Sequence, residues 1–412
     1  MVGVFEKVRV SVSQATCPAG WDAAAHAHWL AGQARAAVDA TLLRINAAGP
    51  LKPVPLVLQL GYYLFLLGDA ASAAQALETA YAQHPGNLDL LQNLGACLTR
   101  SGQYAAATQR LEELLTLAPD HVVALEGLSD SLHKLGQLEA AAAAGTRALV
   151  LKDRAAPAPS PTWHLPSESP QRWLAGRECA NVIAFSLWGA QPRYLRGALD
   201  NAQAAPVLYP GWTVRFYVDA TVPQEVQTAL TTLGTELVQE PPGQPLRMRL
   251  GWRFKVANDP KVGRFLVRDA DSLLNPREAA AVQAWLASDR WFHVMRDWWT
   301  HCELILAGMW GGVAGVLPDL QTLLTNYSPG LMETPNVDQW FLRDQVWPYV
   351  RSSCLMHDRC FHLPGTHAWP EPDPPGSLHV GQDEFSAWPA QQARRLAAWR
   401  RLASLQLPAD PA

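Results

Sequence analysis

The sequence contains no Cys-x-x-Cys pair, no uninterrupted run of 18 apolar residues and no excess of positive charge. Its six cysteines, Cys17, Cys97, Cys179, Cys302, Cys354 and Cys360, are scattered, which argues against a disulfide framework or a zinc knuckle and fits a reduced, cytoplasmic protein. The opening MVGVFEKVRVSVSQATCPAG lacks a basic n-region followed by an apolar h-region, so neither secretion nor a membrane span is expected. Lys+Arg 33 against Asp+Glu 37 gives a net charge of -4, without the basic surplus that drives nucleic-acid binding. No GxxxxGK[ST] phosphate loop occurs, which removes P-loop triphosphatases and sulfotransferases. Charged residues make up only 17%, below the roughly 25% of an average soluble chain, but 412 residues that are 49% hydrophobic can bury more than one core.

Tryptophan is unevenly placed: of 17, only Trp21 and Trp29 precede residue 160, so two differently composed regions lie end to end. In the first, Gly68, Gly102 and Gly136 recur at a period of 34 residues, as do Ala73, Ala107 and Ala141, and Leu60, Leu94 and Leu128; Pro85 and Pro119 keep the same spacing. Each unit reads as helix, glycine turn, helix. Three units span 54–155, and the helical pattern of 21–49 caps them within an N-terminal region 1–53. Ser129 and Asp153 replace the expected glycine and proline in the last unit, where no neighbour follows. The period and pattern resemble the tetratricopeptide repeat, which implies an all-α solenoid whose concave face takes a peptide.

The Pro/Ser-rich stretch 156–172 reads as a linker. Within 173–385, apolar strand-like runs VIAFSL (182–187), TVRFYV (213–218) and RFLVRD (264–269) alternate with helical stretches such as 223–234, which predicts an α/β domain with a mostly parallel, Rossmann-like sheet. The segment 386–412 is expected to supply a closing helix. Arg394, Arg395, Arg400 and Arg401 beside Trp399 would also suit docking at an inner membrane face, although packing on its own domain is the favoured reading.

Chemistry concentrates after the run Phe265-Leu266-Val267, where Asp269 and Asp271 form an Asp-x-Asp pair. Residues two apart on an extended backbone point to one side, and hard carboxylate oxygens suit Mg²⁺ or Mn²⁺, which retain open positions for a diphosphate. Arg253 in LGWRFKV precedes the pair, GMWGG (308–312) and Asp338-Gln339 follow it, and His379 lies in LHVGQ. This order resembles the nucleotide-sugar glycosyltransferases of GT-A fold, in particular the glycogenin-like family 8, over about residues 180–385. It departs from that family in the spacing of His379-Val380-Gly381 and in the charged Arg268 before the pair. The resemblance implies a metal-dependent enzyme that moves a sugar from a nucleotide diphosphate, UDP-sugar favoured, to a protein or glycan acceptor. It assigns the cation to Asp269, Asp271 and His379, donor binding to Arg253, Asp269 and Asp271, and the reacting sugar to Asp338 and Gln339. Asp338 also reads as a helix N-cap, and His379 as an ordinary imidazole.

A Trp-rich segment, 291–312, holds His293, Arg296, Asp297, His301 and Trp310. Aromatic faces interleaved with polar groups suit a sugar, so His293, Arg296, His301 and Trp310 are candidate sugar or acceptor contacts and Asp297 a candidate base; the alternative is a helix with a Trp-rich core face. His301, Glu303 and His357 also satisfy the His-x-Glu…His iron triad of a 2-oxoglutarate oxygenase. A third reading is a non-enzymatic peptide-binding adaptor with a degenerate transferase domain.

Overall fold

The computed structural model describes residues 17–328, 336–374 and 376–383 and divides into two compact units, the first ending at Arg154 and the second beginning at Ala155. The expected closing helix in 386–412 lies outside the described residues.

The first unit is all helix: α1 (Ala23–Leu30), α2 (Ala34–Ala47), α3 (Val54–Leu66), α4 (Ala70–Gln83), α5 (Leu88–Arg100), α6 (Tyr104–Leu117), α7 (Val122–Lys134) and α8 (Leu138–Ala155). The 34-residue period maps onto three hairpins, α3/α4, α5/α6 and α7/α8, and the capping segment is a further hairpin, α1/α2. The recurring glycines sit at the hairpin turns with φ of 87°, 79° and 77° at Gly68, Gly102 and Gly136, a left-handed conformation in which a Cβ is strained. Ala73, Ala107 and Ala141 are fully buried, so the small residue is where helices press together. Helix starts are capped locally: Asn87 Oδ1 accepts from Leu90 N at 2.9 Å, and His121 Nδ1 accepts from Ala124 N at 3.2 Å. Helix α3 packs on α5, and α5 on α7, which places the odd-numbered helices side by side along one face of the stack.

The second unit contains α9 (Pro170–Leu174), β1 (Ala180–Leu187), α10 (Pro192–Leu208), β2 (Trp212–Val218), α11 (Gln224–Thr232), β3 (Glu236–Gln239) and α12 (Leu246–Gly251). A 3₁₀ segment, Trp252–Asn258, leads into β4 (Val262–Val267) and α13 (Pro276–Leu286). Then follow β5 (Phe292–Arg296), β6 (Trp310–Val313), α14 (Leu320–Asn326), α15 (Val337–Phe341), α16 (Trp347–Val350), β7 (Cys354–Asp358) and β8 (Thr366–His367). The strands form one sheet in the order β3-β2-β1-β4-β6-β5-β7-β8. All run parallel except β6, which is antiparallel to both β4 and β5. Strand order reverses at β1: the chain leaves β1 for β2 on one side and returns to β4 on the other. A crevice at the carboxyl ends of β1 and β4 follows from that reversal, and ligands of open α/β sheets bind in such crevices.

Two expectations are corrected. The Pro/Ser-rich stretch is bound to the α/β unit rather than standing apart as a linker: Trp163 Nε1 donates to Val316 O at 2.8 Å, and Gln171 Nε2 to Ser288 O at 2.7 Å. Residues 291–312 do not form a helix; they form β5, a loop and β6. Every residue of β5 is buried, so the strand carries no polar/apolar alternation to distinguish it from a buried helix.

Among the described residues no helix is long and apolar enough to cross a membrane. No disulfide joins any of the six cysteines.

Leu111 is 2% exposed and fills the space against Gly95 and Gly127. Leu111→Ala is expected to destabilise the helical unit by about 2–5 kcal/mol through lost burial and a residual cavity, read as a lower urea midpoint.

Candidate active site

The end of β4 is held by charge. Arg268 N extends the pairing to Ala184 O at 3.1 Å, while the buried Arg268 guanidinium donates to Glu278 at 3.1 Å and to Trp310 O at 3.1 Å. Tyr209 Oη donates to the same Glu278 oxygen at 2.8 Å. Asp269, Ala270 and Asp271 then leave the sheet in a turn closed by Ser272 N to Asp269 O at 3.3 Å. The two carboxylates therefore lie on a turn beyond the strand and not, as expected, along an extended backbone.

Arg253, Asp269 and Asp338 come together. The Arg253 guanidinium is 3% exposed; it donates to Arg268 O at 2.8 Å, forms an ion pair with Asp269, and reaches Asp338 Oδ2 at 3.1 Å. It is thus engaged by two carboxylates and not open to a phosphate, which corrects the donor-contact expectation. Asp338 lies in α15 and not at its N-cap; burial pushes its carboxyl up to about 6 against the opposing pull of Arg253. Gln339, half-buried beside it, donates its backbone N–H to Asp338 Oδ1 at 2.9 Å. Gly308 is required by close approach, because a Cβ there would overlap the Asp269 carboxylate.

Asp271 faces a group that sequence reasoning missed. Arg193, in the first turn of α10, approaches Asp271 Oδ2 at 3.8 Å and donates to Asp383 Oδ2 at 2.9 Å. Burial, then the carboxylates of Asp269 and Asp383, push the Asp271 carboxyl up to about 7. The oxygens of Asp269 and Asp271 are hard donors, the chemistry that suits Mg²⁺ or Mn²⁺. A three-residue set does not form: among the described residues no group of three or more His, Cys, Asp or Glu is arranged to hold a metal.

His379 is not gathered with Asp269 and Asp271. Its ring stacks on Trp298 at 4.5 Å and meets His301 edge-on at 5.3 Å. Its Nδ1 lies 2.9 Å from Ser377 O, which can only accept, so Nε2 is the basic nitrogen of the neutral ring. His301 has the opposite tautomer, because its Nδ1 accepts from Asp297 N at 3.0 Å; burial keeps this imidazole well below its usual pKa and therefore neutral.

The remaining candidates serve the scaffold. Asp297 is fully buried; it accepts from Arg277 at 3.0 Å and from Val380 N at 2.8 Å, so it ties down the segment that carries His379 and is not free to act as a base. Arg296, fully buried, pairs with Asp358 at 2.7 Å and donates to Leu304 O at 2.9 Å. Trp310 is fully buried between Phe254 and Phe265. His293 is fully buried, stacks on Trp285, and shares a 2.8 Å hydrogen bond with His357. None of these four side chains is accessible to a sugar. The iron triad is also not assembled: His357 is bonded to His293 in the core, while Glu303 lies 3.8 Å from Arg343.

Comparison with known proteins locates the repeats. Residues 64–114 match the tetratricopeptide repeat family model. MamA (residues 41 to the end) from Desulfovibrio magneticus RS-1 is 23% identical over 31% of this chain and 71% of its own, with a TM-score of 0.29. YrrB, described as a tetratricopeptide protein with an unusual peptide-binding site, is 20% identical over 31% of this chain and 65% of its own, with a TM-score of 0.28. A point mutant of Thermobaculum terrenum O-GlcNAc transferase is 20% identical over 59% of this chain and 44% of its own, with a TM-score of 0.37. No curated protein matches the chain.

Two outcomes follow. Arg253→Met strands the buried Asp338 carboxylate and is expected to lower stability by about 3–5 kcal/mol, with Asp338→Leu on the same chain recovering part of the loss; urea denaturation of the single and double variants measures both. Burial, then the charges of His367 and Arg277, lower His357 from 6.5 to about 4. The folded state therefore stays neutral where the unfolded chain takes up a proton. This stabilisation is complete above about pH 6.5 and is lost toward pH 4, at up to about 1.4 kcal/mol per pH unit. The urea midpoint of the wild type should fall over that window more steeply than that of His357→Gln.

Proposed function

We propose that the α/β unit is a GT-A-like glycosyltransferase that moves a sugar from a nucleotide diphosphate, UDP-sugar favoured, to a protein or glycan acceptor selected by the repeats. The observation that carries this reading is the pairing of Asp269 and Asp271 just beyond β4, at the reversal of strand order, with Asp338 joined to Asp269 through Arg253. Asp269 and Asp271 would hold Mn²⁺ or Mg²⁺, which supplies positive charge to the departing diphosphate. Arg253 orients the carboxylates of Asp269 and Asp338, so its task is positioning. Gln339 is half-buried next to Asp338, where its amide is suited to a hydroxyl of the donor sugar. His301 would offer an Nε2–H donor beside His379. Retention of configuration is what the family-8 resemblance implies. The tetratricopeptide match at 64–114 supports a peptide or protein surface as the partner of the first unit.

Incubation of the purified chain with UDP-sugars and an acceptor-protein extract, in Mn²⁺ or in EDTA, tests the proposal by UDP release. Release is expected to require the metal and to fall about 100-fold or more in Asp271→Asn, since electrostatic stabilisers at a reacting centre are worth on the order of 10²–10³ in rate. Metal-independent release, or release unaffected by the substitution, contradicts it. Tight peptide binding to the repeats without turnover of any nucleotide sugar would favour the adaptor.

A further inference from the structure

Arg193 is a cation in an unfavourable place. It is the second residue of α10, after Pro192, and the positive end of a 17-residue helix disfavours a guanidinium there. What holds it is Asp383, with Tyr194 and Asp271 beside it. Nη1 donates to Asp383 Oδ2 at 2.9 Å, and the guanidinium lies 4.4 Å over the Tyr194 ring, whose hydroxyl it also contacts. Its grip on Asp271 is incomplete: Nε stands 3.8 Å from the carboxylate, shut off from solvent and with no hydrogen-bond partner. A buried donor left unpaired is unfavourable, so this arrangement loses little on release. The side chain is 34% exposed, which leaves it room to turn outward.

We propose that Arg193 is the resident counter-cation of Asp271 and Asp383, displaced when a divalent ion and a nucleotide diphosphate bind together. The proposal rests on the cation reading above. With no nucleotide present, Arg193 and the ion compete for the Asp271 carboxylate. A diphosphate gives the guanidinium another anionic partner of matching geometry, and the carboxylate then passes to the ion. Nucleotide and ion thereby raise each other's affinity, as reciprocal linkage requires. Arg193 thus acts on ion binding by releasing Asp271, and on nucleotide binding by direct contact with the diphosphate.

Mn²⁺ binding to the full chain, followed by the electron-spin-resonance signal of free Mn²⁺, tests this in wild type, Arg193→Gln and Arg193→Lys, each with and without UDP. UDP is expected to tighten Mn²⁺ binding to the wild type about tenfold. Arg193→Gln should bind Mn²⁺ alone about tenfold tighter than the wild type and respond less to UDP. Arg193→Lys keeps the charge and should keep the coupling; Arg193→Met, uncharged like the Gln variant, replaces it in the comparison if a thermal melt shows Arg193→Gln unfolded. Wild-type Mn²⁺ affinity indifferent to UDP, or Arg193→Gln equal to or weaker than wild type, overturns the inference while leaving the cation reading intact. Absence of Mn²⁺ binding in all three chains, with and without UDP, overturns both.

Discussion

The second unit depends on one buried guanidinium. Arg253 joins the turn after β4 to α15 by bridging Asp269 and Asp338, two carboxylates that would otherwise repel each other inside the fold. Taking Arg253 and Asp338 out of water is costly, and only a planar cation with several fixed donors satisfies both anions and the Arg268 carbonyl at once. The geometry of the acidic pair, the helix that carries Asp338-Gln339 and the space left by Gly308 all depend on this arrangement.

Further buried ion pairs repeat the device around it. Arg268 with Glu278 stiffens the strand end, Arg296 with Asp358 ties β5 to β7, and Arg277 with Asp297 draws in the segment carrying Val380. The carboxylates that keep some exposure beyond β4 include Asp269, whose side chain is 46% exposed, Asp383, at 34%, and Asp271, at 17%. Scaffold and candidate site are therefore made from the same residue types and are separated by burial.

That separation explains what could be read from the sequence. The repeats were legible because glycine and alanine at a 34-residue period answer local needs, a left-handed turn and a close helix contact. The β4 strand was legible because an apolar run stops at charge. The segment 291–312 was misread because a strand buried on both faces has no period, and its arginine and histidines find partners far along the chain: Arg296 pairs with Asp358 across 62 residues, His293 with His357 across 64. Arg193 carried no signal for the same reason, since Asp383 lies 190 residues away.

On the function proposed, Asp269 and Asp271 jointly hold a divalent ion with a nucleotide diphosphate. A crystal of the full chain grown with MnCl₂ and UDP tests it most directly, through the manganese anomalous signal. One strong peak bonded to oxygens of both carboxylates and of the diphosphate is expected. A diphosphate bound without manganese there, or manganese only at other positions with Asp269 and Asp271 still facing Arg253 and Arg193, would contradict it.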